Sequence, residues 1–153
     1  MIRKATIKEA NAVWDIRTSA IRGIENTYYP KNDLLKWTPV QMPSDFAEAM
    51  LKNEWWVAVS ENQIIATGFI DLIKKRIEAI FVIPDYQGKG FAKMMISHFE
   101  TIARAHGLDE LFLDSTLNAY GFYEKQGYQK VRDSMHVSPL GVSLPCISMK
   151  KKL

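Results

Sequence analysis

The segment that most restricts the fold of this chain is a strand-type apolar run, "IEAIFVI" at residues 77–83, followed at once by "PDYQGKGFAKMM" at 84–95. The first part, rich in β-branched and aromatic residues and stopped by Pro84, reads as a buried strand. Gly88 and Gly90 then permit a turn that other residues resist, and they leave the main chain bare to whatever approaches it. A helix opening there directs unsatisfied N–H groups and the positive end of its dipole at the same spot, which favours an anion. A P-loop needs four residues between Gly and Gly-Lys-Ser/Thr; a dinucleotide fingerprint needs a small residue where Lys93 stands and an acidic ribose partner. Neither pattern is met. On these residues alone two readings stay open. One is a solvated strand-to-helix turn; the other is a pyrophosphate cradle made by Gln87, Gly88, Lys89, Gly90, Phe91 and Ala92.

The flanking elements follow from periodicity. Residues 2–5 read as a short strand, Thr6 and Glu9 as a capping box, and Ala10, Val13, Trp14, Ile21 and Ile24 as one face of a helix. "TYYPKNDLLKWTP" is an irregular aromatic connection with a short helix from Asn32, and "PSDFAEAMLKN" is another short helix with Pro43 and Ser44 at its start. "WWVAVS" and "IIATGFIDL" form a hairpin through Glu61-Asn62-Gln63, and "KKR" at 74–76 is the next hairpin tip, kept soluble by its charges. A long helix runs from about Gly90 to His106, with Met94, Met95, Phe99 and Ile102 on one buried side and Gly107 as its stop. "ELFLD" is a strand, "NAYGFYEKQ" a short helix ended by Gly127, and "YQKVRDSMHV" and "SLPCISMKK" closing strands. The order β-α-α-β-β-β-α-β-α-β-β mixes hairpins with crossovers, which predicts an α/β chain with a mixed sheet covered by helices.

Composition narrows the function. With 153 residues the chain forms one domain, residues 1–153, that buries a core without staples. No apolar run reaches the ~18 residues that span a bilayer, and "MIRKATIKEANAVW" lacks the h-region of a signal peptide, so a cytoplasmic, membrane-free protein is expected. Cys146 is the one cysteine, which rules out an internal disulfide and a multi-thiolate zinc site. His98, His106 and His136 are scattered without partners at ligand spacing, so no metal is expected. The formal charge of +3 is spread, apart from "KKR" and a terminal "KKK", and offers no basic stripe for nucleic acid.

A second landmark, "NAYGFYEKQGY" at 118–128, begins after the strand that follows the long helix. Together the two stretches resemble the GCN5-related N-acetyltransferase superfamily. Its acetyl-CoA signature, Gln/Arg-x-x-Gly-x-Gly/Ala, is met by Gln87, Gly90 and Ala92. Its later aromatic-Tyr-Glu-Lys-x-Gly-aromatic segment is met by "FYEKQGY". The motif-bearing part covers residues 77–128. The resemblance implies a single domain with a central, mostly antiparallel sheet, helices on both faces, and one splayed parallel strand pair whose gap takes the pantetheine arm. It implies acetyl-CoA as cosubstrate, with the backbone of Phe81 and Val82 on the pantetheine amides and the amides from Gln87 to Ala92 on the pyrophosphate.

It also implies direct attack of a neutral primary amine on the thioester, in keeping with a sequence that offers no Cys-His or Ser-His-Asp arrangement. Tyr123 matches the tyrosine that, in many members, gives a proton to the departing thiolate, which a phenol of pKa ~10 can do at neutral pH. Asn118 is a further candidate cofactor contact. Glu78, four residues before Val82 and on the side of Ile80 and Val82 in an ideal strand, is the candidate general base, with Asp114 next. Cys146 reads as a packed thiol. The acceptor pocket is expected from Arg17, Arg22, Glu25, Tyr28, Tyr29, Trp37, Trp55 and Trp56. Aromatic walls with a few charges suit a small polar amine. A peptide amine, or a non-catalytic acyl-CoA sensor, stays open, as does a monomer or homodimer.

Overall fold

The expected strands all form, and they join one sheet. In the computed structural model, which describes residues 1–39, 41–138 and 141–153, the strands are β1 (Ile2–Lys4), β2 (Glu54–Ser60), β3 (Gln63–Asp71), β4 (Arg76–Val82), β5 (Glu110–Thr116), β6 (Gln129–Val137) and β7 (Ser143–Lys152). They lie in the order β1-β2-β3-β4-β5-β7-β6, antiparallel throughout except between β4 and β5. The helices are α1 (Ala10–Arg22), α2 (Lys31–Trp37), α3 (Phe46–Lys52), α4 (Phe91–Ala105) and α5 (Tyr120–Lys125). No helix among the described residues is long and apolar enough to cross a membrane.

Alternation along the strands divides the core between two faces. On β2, Ala58 joins the cluster under α4, whereas its neighbour Val57 packs with Ala10, Val13 and Met50 of α1 and α3. Met95, Ile96, Phe99 and Ala103 of α4 cover Ala66, Ile70, Ile77, Leu111 and Met149. Full burial of side chains of this size contributes roughly 1.5–3 kcal/mol each. On the opposite face Ile21, Tyr29, Leu34 and Trp37 pack with Val142 and Leu144. Cys146 lies within β7 and is buried, as its apolar setting predicts.

Three local expectations change. Met94 does not join the core: it is 44% exposed while Met95 is fully buried, because the packed stripe of α4 runs through Met95, Ile96, Phe99 and Ala103. The tip after β3 is formed by residues 72–75, where Asp71 Oδ1 accepts from the amides of Ile73 (3.0 Å) and Lys74 (2.9 Å). Arg76 is therefore not a solvated tip residue but the first residue of β4. The short helix after Pro30 begins at Lys31, one residue ahead of Asn32. The β2–β3 turn is built as expected, with Glu61 (φ 50°) and Asn62 (φ 62°) both left-handed, as a two-residue hairpin requires.

The Thr6–Glu9 capping box forms as expected. Glu9 accepts from the Thr6 amide (2.8 Å) and from both Arg3 guanidinium nitrogens (2.9 and 2.6 Å). Above all the Arg3 hydrogen bonds hold its pKa down at about 2.

Two predictions follow from this packing. A Cβ on Gly68 would sit 2.8 Å from Phe99 and 2.9 Å from Met95, so Gly68→Val should force α4 outward. Overpacking of this kind costs about 1–3 kcal/mol, or a melting-temperature loss of roughly 2–10 °C; an unchanged melting temperature would mean that α4 is not seated on β3 at this glycine. Glu9 is depressed in the folded state, so its contribution is present above the usual carboxylate range and is lost as pH falls toward about 2. Glu9→Gln should therefore cost about 1–2 kcal/mol at neutral pH, discounted for the exposure of Arg3, and the gap from wild type should close on acidification in denaturant titrations.

Candidate active site

The parallel ladder between β4 and β5 consists of Arg76↔Phe112 and Ile77↔Leu113 and goes no further. Beyond it β5 stays with β7 as far as Thr116↔Cys146, while β4 stays with β3 as far as Val82↔Ala66. The strands part, and a cleft of about 450 Å³ opens between them. The divergence starts at a bulge: Ile77 pairs with Ile70 and Ala79 with Phe69, which leaves Glu78 as the extra residue.

Ladder parity decides which backbone groups face the cleft. The Ile83 amide donates to Ile65 O (3.0 Å), so Ile83 and Phe81 spend their main-chain groups on β3, and those of Ile80 and Val82 point toward β5. Phe81 lines the cleft, but its main-chain groups face β3 rather than the cleft as expected, and those of Ile80 face the cleft instead. The Val82 carbonyl accepts from Gln87 Nε2 (3.0 Å), which ties the start of the turn to the end of the strand.

The glycine turn is shaped as a cradle. After the 3-10 turn Pro84–Tyr86, Gly88 (φ 75°) and Gly90 (φ 91°) are left-handed, and Gly90 caps α4. A Cβ at either glycine would meet no protein atom within 4 Å. The first α4 bond runs from the Met94 amide to Gly90 O (3.0 Å), so the amides of Phe91, Ala92 and Lys93 have no helical partner. Gln87 departs from expectation, because its amide is spent on Pro84 O (3.2 Å). Lys89 lies over the Tyr86 ring (5.0 Å), and Lys93 lines the cleft.

Tyr123 and Asn118 line the same cleft. Asn118 sits in the 3-10 turn Leu117–Ala119, anchored where the Leu117 amide donates to Tyr29 Oη (2.9 Å) and the Tyr29 hydroxyl donates to Pro145 O (2.6 Å). The Tyr123 hydroxyl has no hydrogen-bond partner among the described residues, and burial pushes its pKa up to about 12, which keeps it protonated at neutral pH.

At the other end lies a charged set. The bulge removes Glu78 from the side of Ile80 and Val82, where an ideal strand would put it. Arg76 reaches Glu78 through Nε (2.9 Å) and Asp114 through Nη2 (2.7 Å), and Ser148 Oγ donates to Asp114 (2.7 Å). His136 on β6 lines the cleft and packs against Trp37, ring centroids 5.4 Å apart. Arg76 and His136 were missed by sequence reasoning: the first was hidden in "KKR", and the second reaches the cleft only through the β6–β7 register, His136↔Leu144. Of the expected acceptor residues, Tyr29 and Trp37 line the cleft. Trp55 instead stacks on Phe69, Trp56 packs on His98, and Arg22 binds Thr38 (2.8 and 2.6 Å).

Comparison with known proteins bears on this geometry. Residues 18–128 match the model of the Acetyltransferase (GNAT) family. The chain is 36% identical over 110 residues, 71% of its length and 70% of the relative's, to the peptidyl-lysine N-acetyltransferase YjaB of Salmonella typhimurium. Its fold is that of a GCN5-related N-acetyltransferase from Rhodopseudomonas palustris (TM-score 0.93, 21% identity, 100% of this chain and 95% of the other). The fold is also shared with the PaiA N-acetyltransferase of Thermoplasma acidophilum, solved with coenzyme A (TM-score 0.76, 17% identity, 100% and 98% covered).

Proposed function

This chain belongs to the Acetyltransferase (GNAT) family, and on that premise we propose that residues 1–153 act as one N-acetyltransferase domain that acetylates a primary amine in the β4–β5 cleft. The enzyme is an acyltransferase with acetyl-CoA as its cosubstrate, which supplies an acetyl thioester. The observation that carries the site reading is the cleft itself, with a bare glycine cradle and a charged set among its linings.

In this reading the amides from Gly88 to Lys93 take the pyrophosphate, helped by the α4 dipole. The main-chain groups of Ile80 and Val82 take the pantetheine amides as a short added strand. Phe81, Gln87, Lys89 and Asn118 line or brace that path. Tyr123 gives its proton to the departing thiolate, a role open to a hydroxyl that is protonated at neutral pH and has no hydrogen-bond partner among the described residues. Glu78 and Asp114 draw an ammonium toward the other end of the cleft. The acceptor we favour is a small polar amine, held between these carboxylates and the Trp37 ring. A lysine side chain of a peptide fits the same charges and is the second reading, supported by the 36% identity to a peptidyl-lysine N-acetyltransferase. A free-thiol assay over small amines and lysine peptides separates the two: release with one class alone names the acceptor.

Acetyl-CoA at one hundred times its dissociation constant should stabilise the protein by ~2.7 kcal/mol. Gly90→Asp should abolish that shift, whereas Gly90→Ala, which carries the same left-handed strain without the charge, should keep part of it. Equal shifts in Gly90→Asp and wild type would remove the pyrophosphate from this turn.

Tyr123→Phe deletes only the hydroxyl, so the acetyl-CoA thermal shift should persist while kcat falls by about 10²-fold. An unchanged kcat on a substrate limited by chemistry would reduce Tyr123 to packing.

A further inference from the structure

We propose that His136 is the group that takes the proton from the acceptor's ammonium, a step that rests on the acetyltransferase reading above. Among the described residues lining the acceptor end, Asp114, Glu78, His136 and Cys146 carry groups that can hold a proton, and burial pushes the Cys146 thiol up, which keeps it protonated and leaves the first three as candidates. Both Asp114 oxygens are occupied, Oδ1 by Ser148 Oγ (2.7 Å) and Oδ2 by Arg76 Nη2 (2.7 Å). Glu78 Oε1 is bound by Arg76 Nε (2.9 Å). One guanidinium thus already occupies an oxygen of each carboxylate, as a permanently charged partner that an incoming proton would have to displace or share.

His136 is placed differently. Neither ring nitrogen makes a hydrogen bond to a described residue, and the residue is exposed at the cleft while one side packs on Trp37. The charged groups that act on it come from three elements: Arg17 of α1, Glu78 of β4 and Asp114 of β5. Partial desolvation of the ring, which still leaves the residue exposed at the cleft, is the largest influence and lowers its pKa below 6.5; Asp114 and Glu78 oppose that, and Arg17 adds to it. The resting imidazole is therefore neutral at pH 7 with a free lone pair. Once protonated it faces two carboxylates, which stabilise the imidazolium.

The step balances. An imidazole nitrogen of His136 takes one proton from the ammonium, and the freed lone pair forms the C–N bond to the acetyl carbon. The C–S bond breaks with its electrons on sulfur, and Tyr123 protonates the thiolate. The second nitrogen proton leaves as the amide forms and restores Tyr123 through water. His136 releases its proton to solvent, so one proton is liberated per acetyl group transferred.

The test is the pH profile of kcat/KM for the acceptor, by free-thiol release at saturating acetyl-CoA. Wild type should level off above the imidazole pKa, which lies below 6.5. His136→Gln should fall about 10²-fold at pH 7 and then climb about tenfold per pH unit toward the amine pKa, with partial rescue by added imidazole. Its acetyl-CoA thermal shift should match wild type. Glu78→Gln should keep the level profile at a reduced height. A level His136→Gln profile at wild-type rate, or a climbing profile in Glu78→Gln alone, would overturn the assignment. A wild type that acetylates no amine would overturn the acceptor reading itself, and this step with it.

Discussion

The β4–β5 ladder stops at Ile77↔Leu113, and the candidate site exists because it stops there. Two parallel strands in a core would ordinarily continue to pair, since a buried main-chain group without a partner costs as much as a lost hydrogen bond. Here each strand keeps its other neighbour: β5 follows β7 to Cys146, and β4 follows β3 to Ala66. The bulge at Glu78 bends β4 at the point of separation. The strand edges left facing the cleft need a substitute, and part of it is internal: Gln87 Nε2 caps the Val82 carbonyl at 3.0 Å. The remaining groups, at Ile80 and Val82, are available to a ligand that carries amides of its own.

The same bulge arranges the charges. It takes Glu78 off the side of Ile80 and Val82 and leaves it beside Arg76, which joins it to Asp114 across the last paired step of the two strands. Arg76 is therefore more than a counter-ion. With ion pairs at 2.9 and 2.7 Å to one residue on each strand, it fastens the mouth of the divergence while leaving the rest open. Side chains exposed to about a third of their surface do not make this a strong clasp energetically. Its effect is to fix where the carboxylates point.

Much of this was legible because it is local. The strand–glycine–helix unit, the two-residue turn at Glu61-Asn62 and the Thr6–Glu9 box depend on neighbours within a few positions, and backbone preference alone specifies them. The features that escaped depend on register. "KKR" reads as one charged tip, yet an aspartate-stabilised turn at Asp71 ends one residue early and hands Arg76 to the strand. Phe81 and Ile80 exchange main-chain roles because pairing parity is set by Ile83 and Ile65, residues far apart in sequence. Met94 and Met95 are adjacent and chemically alike, and it is the face of α4 that packs over Gly68 that decides that Met95 is the one buried. His136 carries no local signal whatever; two strands, β5 and β7, lie between its strand and that of Glu78.

The cleft has to satisfy two opposite charges, and the fold meets this by holding them apart. The cofactor end needs positive potential, which the α4 N-terminus provides from bare amides with Lys93 beside them. The acceptor end needs to attract an ammonium and then let it lose a proton, which are conflicting demands: carboxylates strong enough to hold the cation also stabilise its charged form. Dividing the work resolves the conflict. In the proposed division Glu78 and Asp114, each held by Arg76, supply the attraction. In the proposed reaction the His136 imidazole, whose pKa is lowered by desolvation and by Arg17, accepts the proton, and the same carboxylates act favourably on the imidazolium once it has formed.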